Sequence, residues 1–274
     1  MTVQGKVVII TGGAQGVGRY VARTFATEGA RLVVADIAPM DTVVAEVEAL
    51  GAEILPIKMD VTDEAQVRSM VEQVHRRWGR IDVLINDAGI VTHFAVGGPK
   101  WPGIRDMPRE FFQKVIDTNL VGTFLCTKHV LPYMESLQEG HIINFGQGSV
   151  NERPLREEQP GRPPSVGSCV YAVSKIAIRA FTRSVAEEEQ RYGICIMSMG
   201  PGTEGGGGPL IGPGLTRAGI ITDDSPEWAH EAGLSKRVET VGTRYVLGAE
   251  AGMEFSGHQV AVREGQLVIA QDRD

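Results

Sequence analysis

Apolar and polar positions along the chain fall into a repeating beat. Lys6-Val-Val-Ile-Ile10 is a short β-branched run without polar alternation, the pattern of a strand covered on both faces. A Gly-rich stretch follows from Thr11 to Gly18, and Arg19–Glu28 then carries helical spacing. The beat recurs with a strand over Arg31–Ala35 ending at Asp36, a helix near Asp41–Leu50, a strand Ile54–Met59 ending in Asp60-Val61, and a helix near Asp63–Trp78. A strand Ile81–Ile85 ends in Asn86-Asp87-Ala88-Gly89, and after a loop to about Pro108 a long amphipathic helix spans roughly Arg109–Met134. Strand His141–Phe145, a helix around Tyr171, strand Ile194–Met199, two further helical stretches and a last strand near Gln259–Val262 complete the series. Alternating strands and helices predict right-handed crossovers and one doubly wound, parallel α/β sheet with helices on both faces and about seven strands. Ligands of such sheets bind beyond the carboxyl ends of the strands.

Composition narrows the classes of function. The 274 residues are 42% hydrophobic, enough for one sizeable core, and neither a repeat nor a separating linker divides residues 1–274. Net charge is −7 and no basic run exceeds Arg76-Arg77, which removes the electrostatic footprint of nucleic-acid or anionic-membrane binding. Small organic substrates remain. Cys126, Cys169 and Cys195 are odd in number and match neither a zinc site nor a disulfide framework, so no metal and a cytoplasmic location are expected. No apolar run approaches the roughly 18 residues of a membrane span, and the N-terminus lacks a secretory pattern.

The candidate chemistry sits at the strand ends. A Gly-rich turn between strand and helix lets backbone approach a phosphate and aims helix amides at it, which assigns Gly12, Gln15, Gly16, Val17 and Gly18 to phosphate binding, although such a turn can also be a mere tight connection. Asp36 lies where an acid accepts hydrogen bonds from an adenosine ribose, with Ile37 beside it, and its charge would repel a 2′-phosphate; the expected cofactor is NAD rather than NADP. Asp60, Val61, Asn86, Ala88 and Gly89 occupy further strand ends. Tyr171 and Lys175 are four residues apart in a helical stretch and so share a face. The Lys175 charge should draw the Tyr171 phenol below its usual pKa and make it a proton donor and acceptor. With five tyrosines, a chance YxxxK is expected about one time in four, so this pair gains meaning only from its surroundings. Asn119, inside a helix, costs several tenths of a kcal/mol against better helix formers, so it is either exposed or held by a structural need.

Taken in order, these residues resemble the short-chain dehydrogenase/reductase family across nearly the whole chain. Thr11 to Gly18 is similar to its TGxxxGxG turn, Asp60 to its adenine-side Asp, and Asn86–Gly89 to its NNAG strand end, with Asp87 departing from the second Asn. Asn119, Tyr171 and Lys175 match its catalytic Asn and YxxxK, Pro201-Gly202, followed by Thr203, matches its turn beside the nicotinamide, and Gly257–Val262 is similar to its terminal pattern. The resemblance implies a Rossmann-type single domain and often a homodimer or homotetramer built on the Asn119 and Tyr171 helices. It also implies that Tyr171 takes a hydroxyl proton while hydride passes to NAD, that Lys175 holds the ribose, and that Asn119 steadies a proton path, interconverting a secondary alcohol and a ketone.

Two departures bear on function. Where the family has a catalytic Ser at the end of the fifth strand, this chain has Gln147, and Ser149 follows two residues later, farther from Tyr171 than the family's spacing. Either Ser149 bulges back as hydrogen-bond donor, or the Gln147 amide replaces it, or both merely cap the next segment. The loops near 90–108 and 150–167 are longer than the family's and leave strand ends, so His93, Phe94, Trp101, Arg153, Arg156 and Arg162 are expected to border the pocket and to suit a substrate larger than a simple alcohol. Residues 203–222, with Gly205–Gly208, are expected to form a flexible lid, or else a disordered stretch. The missing Ser at 147 leaves a second reading open: an NAD-binding protein of this fold with lost redox activity, acting as a sensor or scaffold.

Overall fold

Strand β1 (Val7–Thr11) is buried along its whole length because it lies mid-sheet with helices on both sides. The computed structural model describes residues 2–90, 102–146, 168–200, 234–263 and 265–270. Within them the helices are α1 (Gly16–Thr27), α2 (Asp41–Ala49), α3 (Glu64–Trp78), α4 (Arg109–Ile116), α5 (Gly122–Leu137), α6 (Ser168–Glu189) and α7 (Leu234–Ala249). The strands after β1 are β2 (Arg31–Asp36), β3 (Ile54–Lys58), β4 (Val83–Asn86), β5 (Gly140–Phe145), β6 (Ile194–Met199), β7 (Gln259–Arg263) and β8 (Gln266–Ile269). They form one sheet of order β3-β2-β1-β4-β5-β6-β7-β8, parallel as far as β7.

The expected doubly wound sheet is therefore present, with eight strands rather than about seven. The additional strand β8 runs antiparallel to β7, pairing Val262 with Leu267 and Arg263 with Gln266, and Gly265 sits in the turn at φ 75°. Its apolar run Leu267-Val268-Ile269 is short and only partly covered, and the expected series of strands stopped at Val262.

Period-two alternation divides the strands between two cores. Val8, Ile10, Leu32, Val34, Ile85 and Met197 point to one side, against Val21 and Phe25 of α1 and Tyr245 of α7. Val7, Ile9, Val33, Leu84, Ile142 and Ile196 point to the other, against Val67, Met70 and Val74 of α3 and Val130 and Met134 of α5. The expected single helix from Arg109 to Met134 extends to Leu137 and is interrupted by a π turn over Asp117–Val121 that contains Asn119.

A buried polar network ties β4, β5, α5 and α6 together below the strand ends. Asn86 Nδ2 donates to Asn144 Oδ1 (2.9 Å) and to Thr127 Oγ1 (3.3 Å), and Asn144 Nδ2 donates to Thr182 Oγ1 (2.9 Å). Asn144→Ala would leave buried partners on both sides without it, and unfolding in urea should show a loss of about 2–4 kcal/mol.

Candidate active site

The strand order reverses at β1, whose neighbours are β2 and β4, and the crevice opens beyond the carboxyl ends of β1 and β4. Gly12 has φ 73°, and a Cβ there would stand 2.7 Å from Ala88 Cα, so only glycine lets the turn after β1 touch the end of β4. Thr11 fastens the same contact: its Oγ1 accepts from the Ala88 N–H at 3.3 Å. Gly18 is equally confined, its missing Cβ lying 2.5 Å from Gly12 O.

Helix α1 starts at Gly16, its N-cap Gln15 makes no side-chain cap, and no acid lies in the first turn. The amides of Gly16 and Val17, both partly exposed, are thus open to an anion. Asp36 is held beside this turn: Oδ2 accepts from Ala14 N–H and Oδ1 from Ala38 N–H, both at 3.0 Å, while Ile37 is 66% exposed. Asp60 is exposed and accepts from Thr62 N–H (2.9 Å) and Thr62 Oγ1 (2.8 Å). These residues fit the diphosphate and adenosine ends of a dinucleotide.

Two of the expected cofactor residues face inward. Val61 is buried, and a Cβ on Gly122 would come within 2.6 Å of Val61 Cγ2. Asn86 is engaged in the core network, so it serves the site by fixing β4, whereas Ala88 and Gly89 reach the crevice. Pro201, Gly202, Thr203, Gln147, Ser149, the loop residues His93, Phe94, Trp101, Arg153, Arg156 and Arg162, and the segment 203–222 lie outside the described residues.

Asn119 is fully buried, and structural need holds it in the helix. Its Oδ1 accepts from Ile90 N–H (2.7 Å), and its Nδ2 donates to Ile90 O (3.2 Å) and to Ser174 Oγ (3.0 Å). Ser174 Oγ in turn donates to Tyr171 O at 2.8 Å. The π turn places Asn119 against the first turns of α6, and π turns recur at functional sites for this kind of local re-aiming. Ser174 is the link that the motif left invisible, because a Ser between Tyr171 and Lys175 carries no pattern of its own.

Tyr171 and Lys175 are each 4% exposed and share one face of α6. Lys175 Nζ donates to Phe145 O at 2.7 Å and lies 4.5 Å from the Phe145 ring centroid and 5.5 Å from that of Tyr171. The proximity expected from the motif is real, but its expected electrostatic result is reversed. Burial, and then the charge of Asp87, push the Tyr171 phenol above its usual value. Burial pulls Lys175 down, with Asp87 acting in the opposite sense. The helix rule supplied the spacing and omitted the cost of ionising a phenol out of water.

The short chain dehydrogenase family profile matches residues 6–204. The chain is 34% identical to the 3-oxoacyl-acyl-carrier-protein reductase of Thermotoga maritima, over 98% of this chain and 100% of that protein. It is 32% identical to momilactone A synthase of Oryza sativa subsp. japonica, over 97% and 91% of the two chains. Among solved structures, a short chain dehydrogenase from Mycobacterium avium aligns with a TM-score of 0.73 and 28% identity, covering 99% of this chain and 87% of that one.

Gly12→Ala should weaken binding of a reduced nicotinamide dinucleotide by about tenfold or more, since the new Cβ forces β1 and β4 apart at the phosphate turn. Titration of the cofactor's fluorescence measures it.

Proposed function

The chain belongs to the short-chain dehydrogenase/reductase family, and from that premise we propose that it is an NAD-dependent oxidoreductase interconverting a secondary alcohol and a ketone. The observation that carries this reading is the burial of Tyr171 and Lys175 on one face of α6, with Asn119 linked to them through Ser174. Bound NAD supplies the hydride acceptor. Tyr171 takes the hydroxyl proton in oxidation and returns it to the carbonyl in reduction, Lys175 holds the ribose, and Asn119 steadies a water-linked proton path. Because burial holds the phenol protonated, Tyr171 stands ready to donate in reduction, and oxidation should speed up as pH rises.

Two observations support NAD over NADP. The Asp36 carboxylate is oriented beside the phosphate turn by two amides, where it opposes a further phosphate. Arg19, the cation next to that turn, donates from Nε to Glu46 at 2.7 Å and is thereby engaged. The long loops near 90–108 and 150–167 and the segment 203–222 would border the pocket, with either Ser149 or Gln147 as the extra donor and Pro201, Gly202 and Thr203 beside the nicotinamide; a substrate larger than a simple alcohol suits them. Phe124 on α5 and Val173 and Ile176 on α6 are exposed apolar side chains that suit a homodimer or homotetramer through these helices. Three free cysteines suit a cytoplasmic location.

Tyr171→Phe should lower turnover on the order of 10²–10⁴-fold and leave NADH binding intact, read by NADH fluorescence with cyclic and acyclic alcohols and ketones. Tight NADH binding without turnover by the unaltered protein across a broad panel would overturn the enzyme in favour of a sensor or scaffold. Asp36→Ala should bring the dissociation constants for NAD and NADP together, whereas equal binding of both by the unaltered chain would remove Asp36 as the discriminator.

A further inference from the structure

Helix α2 carries a carboxylate that reaches back to α1. Glu46 takes the Arg19 guanidinium in a two-pronged contact: Nε donates to Glu46 Oε2 at 2.7 Å, and Nη2 donates to Oε1. Arg23, one turn further along α1, brings its Nη1 to 3.8 Å from the same Oε1. A forked pair of this kind is stronger and more directional than a single ion contact. Arg19 is 7% exposed and the Glu46 side chain 21%, so the pair is less screened by water and salt than an ordinary surface bridge.

Its position bears on the cofactor. Arg19 lies in the first turn of α1, where its N–H donates to O of the N-cap Gln15 at 3.3 Å. Asp36 is tied to the same turn through the Ala14 N–H, and α2 is the helix that follows the Asp36 loop. Arg19 is therefore within one helical turn of the residues expected at the adenosine end of a dinucleotide. Folds of this type that accept a 2′-phosphate do so with an arginine near this place. Here the guanidinium is turned to α2 instead, and its fork is spent on Glu46. Lys58, the register partner of Asp36 on β3, is a second cation at this end and is exposed.

We propose that Glu46 is a specificity-determining residue for the cofactor: by holding the Arg19 guanidinium on α2, it denies a 2′-phosphate the cation that would otherwise receive it. Discrimination then has two parts, because Asp36 repels the additional phosphate and Glu46 withholds its partner. Glu46 acts through Arg19 rather than by contact with the dinucleotide, so it is a positioning residue. The inference rests on the reading of the Gly-rich turn and Asp36 as the adenosine end of a nicotinamide dinucleotide site. Loss of the Glu46 charge would by itself ease the approach of a phosphate, so the decisive variant is one that also removes Arg19.

The test is a fluorescence titration of the full chain with NADH and with NADPH. Glu46→Gln should tighten NADPH binding by about tenfold and leave NADH within about twofold, whereas a merely structural loss would weaken both together. Glu46→Asp, which keeps the charge, should stay near the unaltered ratio of the two constants. Adding Arg19→Met to Glu46→Gln should abolish the gain, and adding Lys58→Met should leave it in place. If repulsion by Asp36 keeps NADPH binding too weak to measure, the same step is read in the Asp36→Ala background; if Glu46→Gln does not fold, Glu46→Leu is titrated with the same expectation. An unmoved ratio in the folded variant, or a gain that survives Arg19→Met, overturns the proposal. Equal binding of NADH and NADPH by the unaltered chain, with a ratio that still moves in Glu46→Gln, would sink the NAD preference and leave the Glu46 effect standing. A preference for NADH with an unmoved ratio would do the reverse, and binding of neither dinucleotide would sink both.

Discussion

The contact between Gly12 and Ala88 is the constraint on which the site depends. Two parallel strands normally leave room for side chains at their ends, yet here the turn after β1 touches the backbone of β4, because Gly12 has no Cβ and adopts φ 73°. This approach aims the first amides of α1 into the crevice and brings Gly18 within reach of Asp87. Asp36 is tied to the same turn through Ala14. One missing methyl group thus brings the start of α1, the Asp36 carboxylate and the end of β4 into one place.

The second half of the site hangs from α6. Below it, the Asn86–Asn144–Thr182 chain of hydrogen bonds locks the helix to β4 and β5. Above it, Asn119 bridges Ile90 and Ser174, and a π turn accommodates the buried amide within an otherwise regular helix. The hydrogen bonds of these networks would be expensive to lose in a buried setting, so forming them favours one arrangement of β4, β5, α5 and α6.

Legibility from the sequence follows the range of the physics involved. The strand-helix beat was readable because each strand is a short apolar run and each helix shows its own period, both local properties; β6 was placed at its final boundaries, Ile194–Met199. Strand β8 was missed: Leu267-Val268-Ile269 after Gly265 is a short run whose assignment as a strand depends on its pairing with β7. The turn and Asp36 could be selected by their place after β1 and β2, whereas Asn119, Tyr171 and Lys175 stood out only through the ordered set of motifs around them. Ser174 could not, because its role is a contact with an amide 55 residues away in the chain.

What residue order determined is the topology and the roster of groups at the strand ends, since alternation, glycine placement and i,i+4 spacing are all short-range. What only the folded chain decided is the direction in which the proton affinities of Tyr171 and Lys175 move. Spacing puts Lys175 beside Tyr171 and predicts an easier phenol ionisation, but desolvation and the Asp87 carboxyl act from elements distant in sequence and reverse the sign. A pKa depends on every neighbour and on the exclusion of water, and neither exists until the sheet, α1 and α6 close around the site.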